Sequence, residues 1–263
     1  MIVKPFGVHD VMIFIRGVPL RQEPPGLTEK GKEIFASLRD NDAYYYYHSF
    51  RELAFDIFLR ENIIQAAERL SKAGIEFNVF SQSRFHSRFW NKTPRGYVLK
   101  PGAMPDEAVS DIFTNGREYA FECSTAMVVV FYYAVLLSIG PRHFNRLFQN
   151  LLVWNWNYDE NLKIITKSGR DYIPGDVVYF HNPDFQNPVW IGENAVYMGN
   201  DMYYGHDIGI VAKKEMIEAL NQLRKPGAKR SAYMLPQHSR LDFRFYMGFA
   251  GHFSPAAPGV RSM

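Results

Sequence analysis

The stretch YAFECSTAMVVVFYYAVLLSIGP, residues 119–141, decides the fold. From Cys123 to Pro141 it carries no charged residue. Its length approaches the ~20 residues that a membrane-spanning helix needs. It nevertheless opens on Cys123, Ser124 and Thr125 and holds the Tyr132–Tyr133 pair in its middle. A helix buried on all sides in a protein core has the same signature. The other segments read as an ordinary globular chain. The expectation is therefore a core helix that starts at Cys123 and ends at Gly140–Pro141, and no membrane partner.

Composition supports that reading. The chain has 263 residues, 47% of them hydrophobic, enough for one sizeable core and a single domain over 1–263. Lys and Arg number 30 against 27 Asp and Glu, and a formal charge of +3 is too small to point to nucleic acid. Cys123 is the one cysteine, so an internal disulfide and a Cys-rich zinc site are both excluded. The histidines show no ligand spacing and no Gly-rich phosphate loop is present, so neither a metal site nor a cofactor is expected. Lys4, Asp10 and Arg16 interrupt the apolar N-terminus and leave no secretory core there.

Upstream of Cys123, residues 1–45 read as an irregular extension, with a turn at Pro24–Pro25–Gly26. Ser49 and Glu52 form a capping box for a helix whose apolar residues run to Leu70, and Gly74 follows as a stop signal. Ile75–Phe80 alternates like a strand. Pro105 opens a short helix closed by Asn115–Gly116. Downstream, Pro141–Asn150 is a short helix and Leu151–Trp156 a strand, which places Trp154 and Trp156 on one face. Asp176–Phe180, Asn194–Met198 and Ile208–Val211 are further strand candidates, and Lys213–Leu223 an amphipathic helix. Residues 242–263 read as a flexible tail. Helices first and short strands afterwards predict α+β architecture, with a central antiparallel sheet packed against helices.

The chemistry is sought at Cys123. A thiol in the first turn of a helix meets unpaired backbone N–H groups and the positive end of the helix dipole, and both favour the thiolate. Glu122 opposes this, because a neighbouring negative charge raises a thiol pKa. A nucleophilic cysteine also needs a proton partner on another element. Pro174–Gly175–Asp176 leads into one strand, Glu193 opens the next, and His206 lies just beyond a hairpin at Gly199–Asp201. Read alone, Glu193 is a surface carboxylate, His206 a structural histidine, and Trp154, Trp156 and Trp190 core residues.

A helix-opening cysteine, then Pro-Gly-Asp before a strand, then a strand carrying the base resembles the NlpC-type cell-wall peptidases of the papain-like fold. Those peptidases place a histidine where this chain has Glu193 or Asn194. Phe121-Glu-Cys-Ser-Thr-Ala, Trp154-Asn-Trp-Asn-Tyr, Trp190-Ile-Gly-Glu-Asn and Gly205-His resemble more closely the bacillus spore-coat transglutaminases, over about Tyr47 to Leu241. That resemblance implies a catalytic pair of Cys123 and Glu193, with His206 and Glu122 auxiliary. It also implies a substrate tunnel near the thiol formed by Trp156, Trp190 and Phe77, and no calcium.

The implied reaction is acyl transfer from a protein glutamine, through a Cys123 thioester, to a lysine amine, with ammonia released. Glu193 would serve first as acid and then as base, with a pKa raised by apolar surroundings. Oxyanion donors would be backbone N–H groups at the helix start. The partners implied are spore coat proteins, acted on by a monomer made in the mother-cell cytoplasm and then located in the coat. Two rivals remain at this point, a papain-like cysteine hydrolase or amidase and a structural coat component without catalysis.

Overall fold

A computed structural model describes residues 12–251 and Phe253. The N-terminal part is built from β1 (Ile13–Ile15), β2 (Val18–Pro19), α1 (Glu29–Arg39) and β3 (Tyr45–Tyr47). The reading of residues 1–45 as irregular is thus corrected over its described part. Thr28 caps α1 by accepting from the Gly31 amide at 2.9 Å, and Ile34, Phe35 and Leu38 bury one face of the helix. The signal was a Thr cap followed by apolar residues at i, i+1 and i+4, too short to stand out beside the Pro-rich turn. Residues 1–11 lie outside the described residues.

Next come α2 (Phe50–Leu70), β4 (Glu76–Phe77), β5 (Trp90–Thr93), β6 (Gly96–Leu99), α3 (Pro105–Thr114) and β7 (Ala120–Phe121). Ser49 caps α2 by accepting from the Glu52 amide at 3.1 Å. The Glu52 carboxylate reaches back to the His48 N–H rather than to Ser49, so the capping box is closed one residue earlier than expected. The expected strand over Ile75–Phe80 is cut to two residues and gives way to a short 3-10 turn at Phe80–Gln82.

The quoted stretch forms α4 (Cys123–Leu147). Ala126, Met127, Val128, Val130, Phe131, Tyr132, Ala134 and Val135 are fully buried, between α2 on one side and the sheet on the other. Gly140 sits at φ +76° and kinks the helix at the expected place, and the helical path resumes at Pro141. The helix is long and apolar enough to cross a membrane, but 83% of its most apolar window is buried inside this molecule.

After it follow β8 (Leu152–Trp154), β9 (Asn157–Tyr158), β10 (Ile164–Ser168), β11 (Val177–His181), β12 (Gly192–Gly199), β13 (Met202–Gly205), β14 (Gly209–Ala212), α5 (Lys213–Gln222), β15 (Tyr233–Leu241) and α6 (Phe243–Met247). The main sheet is six-stranded and antiparallel, in the order β10-β15-β11-β12-β13-β14. Its inner strand β15 escapes a sequence reading, because Pro236 argues against a strand flanked on both sides. The structure accommodates Pro236 with an irregularity. Val178 pairs with His238 and Phe180 with Met234, so Leu235–Gln237 bulge opposite Tyr179.

Asp176 explains the Pro174–Gly175–Asp176 turn. Its buried carboxylate accepts from Arg60 of α2 at 2.8 Å and from Arg240 of β15 at 2.5 Å, and Arg60 also pairs with Asp56 at 2.9 Å. Burial alone would raise the Asp176 pKa, but Arg60 and Arg240 outweigh it and hold the carboxyl below the usual range. Gly175, at φ +90°, lets the turn pass Arg60, where an added Cβ would stand 3.1 Å from the Arg60 Cβ. The turn therefore bolts the sheet to α2.

Residues 242–251 are not a flexible tail. Arg244 pairs with the buried Glu52 at 2.7 Å, Tyr246 is fully buried, and Phe253 packs on Phe55 and Phe58. Aromatic residues without a clear period concealed this docking. Residues 252 and 254–263 of the expected tail lie outside the described residues.

Candidate active site

Cys123 is the first residue of α4, preceded by Glu122 at the N-cap position. The Glu122 side chain does not cap the helix; its carboxylate accepts from the Ser124 hydroxyl at 2.8 Å. The N–H groups of the first turn therefore keep their orphan character and the thiol shares their field. Cys123 is a half-buried residue at the wall of a cavity of about 400 Å³. Phe77, Glu122, Asn155, Trp156, Tyr179 and Asn194 are among its lining residues.

The main sheet brings the partners. β13 ends at Gly205, opposite Ala195, which leaves the edge of β12 open at Glu193 and Asn194. Asn194 fills that opening towards the sulfur, its carboxamide Nδ2 donating to Sγ at 3.6 Å. Glu193 is fully buried, and one of its oxygens, Oε1, accepts from the His206 backbone amide at 2.8 Å. The other oxygen, Oε2, has no conventional hydrogen-bond partner among the described residues. Gly205 makes room for this carboxyl, since an added Cβ would stand 3.0 Å from Glu193 Oε1. Gly192 is equally constrained, with the Tyr179 hydroxyl 2.4 Å from where a Cβ would lie.

Burial pushes the Glu193 carboxyl up to about 8, against opposing pulls from the His206 amide and the Cys123 thiol. Burial, then the nearby Glu193 charge, pushes the Cys123 thiol well above the ordinary range, and hydrogen bonds from Asn194 pull it back. The two groups share one small volume in which a second negative charge is strongly disfavoured. Loss of one proton from the pair leaves a thiol–carboxylate or thiolate–carboxylic acid couple, the form in which a sulfur nucleophile is generated beside an acid.

The remaining expected residues distribute as follows. His206 is half-buried, with its Nε2 enclosed, and this burial pushes the imidazole down to about 4, so the ring is neutral near pH 7. The ring stacks 5.0 Å from Phe121 and its Nδ1 lies 3.3 Å from the Tyr204 hydroxyl. Phe77 stacks on Trp190 at 5.0 Å and tilts towards His206 at 6.2 Å, forming an aromatic column beside the thiol. Phe77 lines the cavity itself, whereas Trp190 backs it from behind and borders a neighbouring depression.

Trp154 and Trp156 do not share a face. Asn155, at φ +52°, turns the chain between β8 and β9, so Trp154 is buried against Phe80 while Trp156 projects to the cavity at 36% exposure. Thr125 fixes this hairpin: its buried hydroxyl accepts from the Asn155 amide at 2.8 Å. The Asn194 contact and the Thr125 tie were missed by sequence reasoning. An Asn directly after the expected acid, and a Thr two residues after the thiol, were the available signals.

A larger apolar cavity, about 820 Å³, lies between Pro24, Phe58, Ile139 and Phe249. It contains neither the thiol nor Glu193, so volume does not mark the chemistry here. Among the described residues, no group of three His, Cys, Asp or Glu side chains is placed to hold a metal ion.

A family model described as "Protein-glutamine gamma-glutamyltransferase" matches residues 12–250. The chain belongs to this family. The transglutaminase is 41% identical over 237 residues to a protein-glutamine gamma-glutamyltransferase of Bacillus pumilus, covering 88% of this chain and 96% of the relative. It is 42% identical over 238 residues to one of Bacillus cereus, covering 89% and 84%. A solved structure of a transglutaminase from Geobacillus stearothermophilus, without its C-terminal extension, superposes with a TM-score of 0.74 at 45% identity. That match covers 77% of this chain and 98% of the other. The fold is accordingly the mixed α and β single domain of a bacterial transglutaminase.

Proposed function

We propose that Cys123 and Glu193 carry the glutamyl transfer of this transglutaminase. The observation that supports this most directly is a fully buried carboxyl, raised to about 8, held against the thiol that borders the cavity. The singly protonated pair supplies a thiolate, which attacks the side-chain carboxamide of a protein-bound glutamine. The Glu193 carboxylic acid protonates the departing nitrogen and ammonia leaves, with a Cys123 thioester remaining. Glu193, now a carboxylate, takes a proton from an incoming lysine amine as that amine attacks the thioester. The isopeptide bond forms and the thiolate–carboxylic acid pair is restored.

Each residue then has a distinct task. The uncapped first turn of α4 and the Asn194 carboxamide face the developing oxyanion. Trp156 and Phe77, with Trp190 behind, shed water from the thioester, which favours the amine over hydrolysis. Glu122, also raised by burial, is an auxiliary charge at the cavity wall. A helix-opening cysteine facing an antiparallel sheet that carries its partner is the papain-like arrangement, with Glu193 in the place of the NlpC-type histidine.

The relatives' Bacillus origin and the sequence resemblance support a reading of the biological setting. The substrates are spore coat proteins, and the enzyme is a monomer made in the mother cell and then retained in the coat. It works without calcium. Undiminished turnover in a chelator, a monomer mass by light scattering, and recovery from purified coats check these points in turn.

Incubation of the enzyme with a glutamine peptide, followed by mass spectrometry, tests the chemistry. A thioester at Cys123 in the wild type, absent in Cys123→Ala, is the expected result. Retained amine incorporation in Cys123→Ala removes the thiol from the mechanism. The hydrolase reading predicts unchanged product when a primary amine is added, whereas the transferase reading predicts an amine-linked product.

A further inference from the structure

Between Glu76 and Asp106 the chain holds no acidic residue and five basic ones, Arg84, Arg88, Lys92, Arg95 and Lys100. This surplus exceeds the +3 of the whole protein, so the rest of the molecule is net negative. Four of the five sit on or beside the β5–β6 hairpin. Arg84 is the exception, pairing with Glu76 at 3.3 Å. Among the described residues, no ion pair involves Arg88, Lys92, Arg95 or Lys100. Arg88, Lys92 and Arg95 are exposed.

The hairpin is built next to the thiol cavity. β6 pairs with β8, Tyr97 opposite Val153. At the hairpin tip, Gly96 packs so tightly that an added Cβ would stand 2.4 Å from the Trp154 Cβ. Trp154 leads directly into Asn155 and Trp156, which line the cavity. Lys92 lies 4.6 Å above the Phe80 ring, and Phe80 packs at a tilt 4.6 Å from Trp154. The positive charge is thus fastened to the outer side of the cavity wall. From Arg95 to Lys100 it runs away from the cavity for roughly 17 Å, the length of about five extended residues.

We infer that this hairpin is the docking surface for the glutamine-bearing protein, and that it selects glutamines flanked by an acidic segment. The inference rests on the transferase reading of the Cys123 cavity. An extended donor strand whose glutamine enters the cavity lays its neighbours along the hairpin, and Asp or Glu within about five residues of the glutamine meets Arg95, Lys92 and Arg88 in turn. Charges at such a rim act mainly on encounter and selection, and salt weakens them.

The test compares three donors for incorporation of a fluorescent primary amine. One is a glutamine peptide with an Asp/Glu cluster three to six residues away, one is its Ser-substituted twin, and one is a blocked glutaminyl-glycine too short to reach the hairpin. The expected result is a kcat/KM about ten-fold higher for the acidic peptide at low salt, the gap closing at about 0.5 M salt. Arg88→Glu with Arg95→Glu removes the gap and leaves the blocked dipeptide's rate unchanged. If that double variant melts early, Arg95→Ser narrows the gap alone, and the salt series on the wild type needs no variant. Equal wild-type rates for the acidic and neutral peptides, or a gap that survives charge reversal, overturns the inference. Failure of the wild type to transfer the blocked dipeptide to the amine overturns the transferase reading instead, so the two failures are distinguishable.

Discussion

The His206 backbone amide donates to Glu193 Oε1 at 2.8 Å, while the His206 ring stacks 5.0 Å from Phe121. One residue thus holds the carboxyl through its main chain and wedges an aromatic column through its side chain. The ring is neutral near pH 7 because burial pushes it down to about 4. In the proposed mechanism His206 therefore acts as a positioning residue. In His206→Leu, kcat should fall about ten-fold through looser placement of the carboxyl, with the rising limb of the pH–rate profile unmoved. Disappearance of that limb would assign the proton transfer to the imidazole.

In the proposed mechanism the raised Glu193 carboxyl sets the pH dependence. Below about 8 the pair holds both protons and the sulfur is a poor nucleophile. Loss of one proton as pH rises creates the active couple. Thus kcat/KM for the glutamine donor should climb towards pH 8 and level off above it. Glu193→Gln should lose roughly 10²–10⁴ in turnover and flatten the profile.

The same group makes a stability prediction with a definite sign. Its folded pKa, about 8, lies above the ordinary carboxylate value of ~4.3. Its contribution is therefore fully present below ~4.3 and is lost as pH rises through 8, because the unfolded state ionises first. Glu193→Gln should melt above wild type at alkaline pH, with the difference shrinking towards pH 4 in a calorimetric series. A constant difference across that range would place the Glu193 pKa near normal in the folded protein.

Asn194 donates to the Cys123 sulfur at 3.6 Å and helps to pull the raised thiol pKa back. Asn194→Ala should slow alkylation of the native thiol by iodoacetamide at a given pH, and should lower kcat by about 10²-fold, the cost of losing one oxyanion donor. Faster alkylation in the variant would mean that the carboxamide shields the sulfur rather than activates it.

Asp176 joins α2 to the sheet through Arg60 and Arg240. Asp176→Asn leaves Arg240 without its buried counter-charge and Arg60 with Asp56 alone, and should cost roughly 3–5 kcal/mol in denaturant unfolding. Because Asp176 is held below its usual range, its contribution is present above ~3.9 and is lost as acid protonates it. The wild-type advantage should fade in strong acid.

The sequence alone determined the local matters. Charge-free residues 123–141 marked an apolar helix, and the ordinary globular composition around it favoured a protein core over a membrane. Gly140 had to break it, and Ser49 had to start α2. The same residues made Cys123 stand at a helix tip. The family motifs pointed to Glu193, although its residue type alone read as a surface carboxylate. Only the tertiary structure decided what Glu193 meets. Whether a carboxyl is wet or dry depends on elements from different parts of the chain: a β12–β13 hairpin whose second strand stops at Gly205 and leaves β12 open there, and α4 arriving from seventy residues upstream. The separation of Trp154 from Trp156 was likewise a decision of Asn155, whose left-handed turn is fixed by Thr125 from another element. β15 stayed hidden because pairing on both edges overrode a proline's local preference. Periodicity reports which side of an element is apolar. It carries no information on which distant polar group that side will enclose, and pKa, water exclusion and catalysis are set by that enclosure.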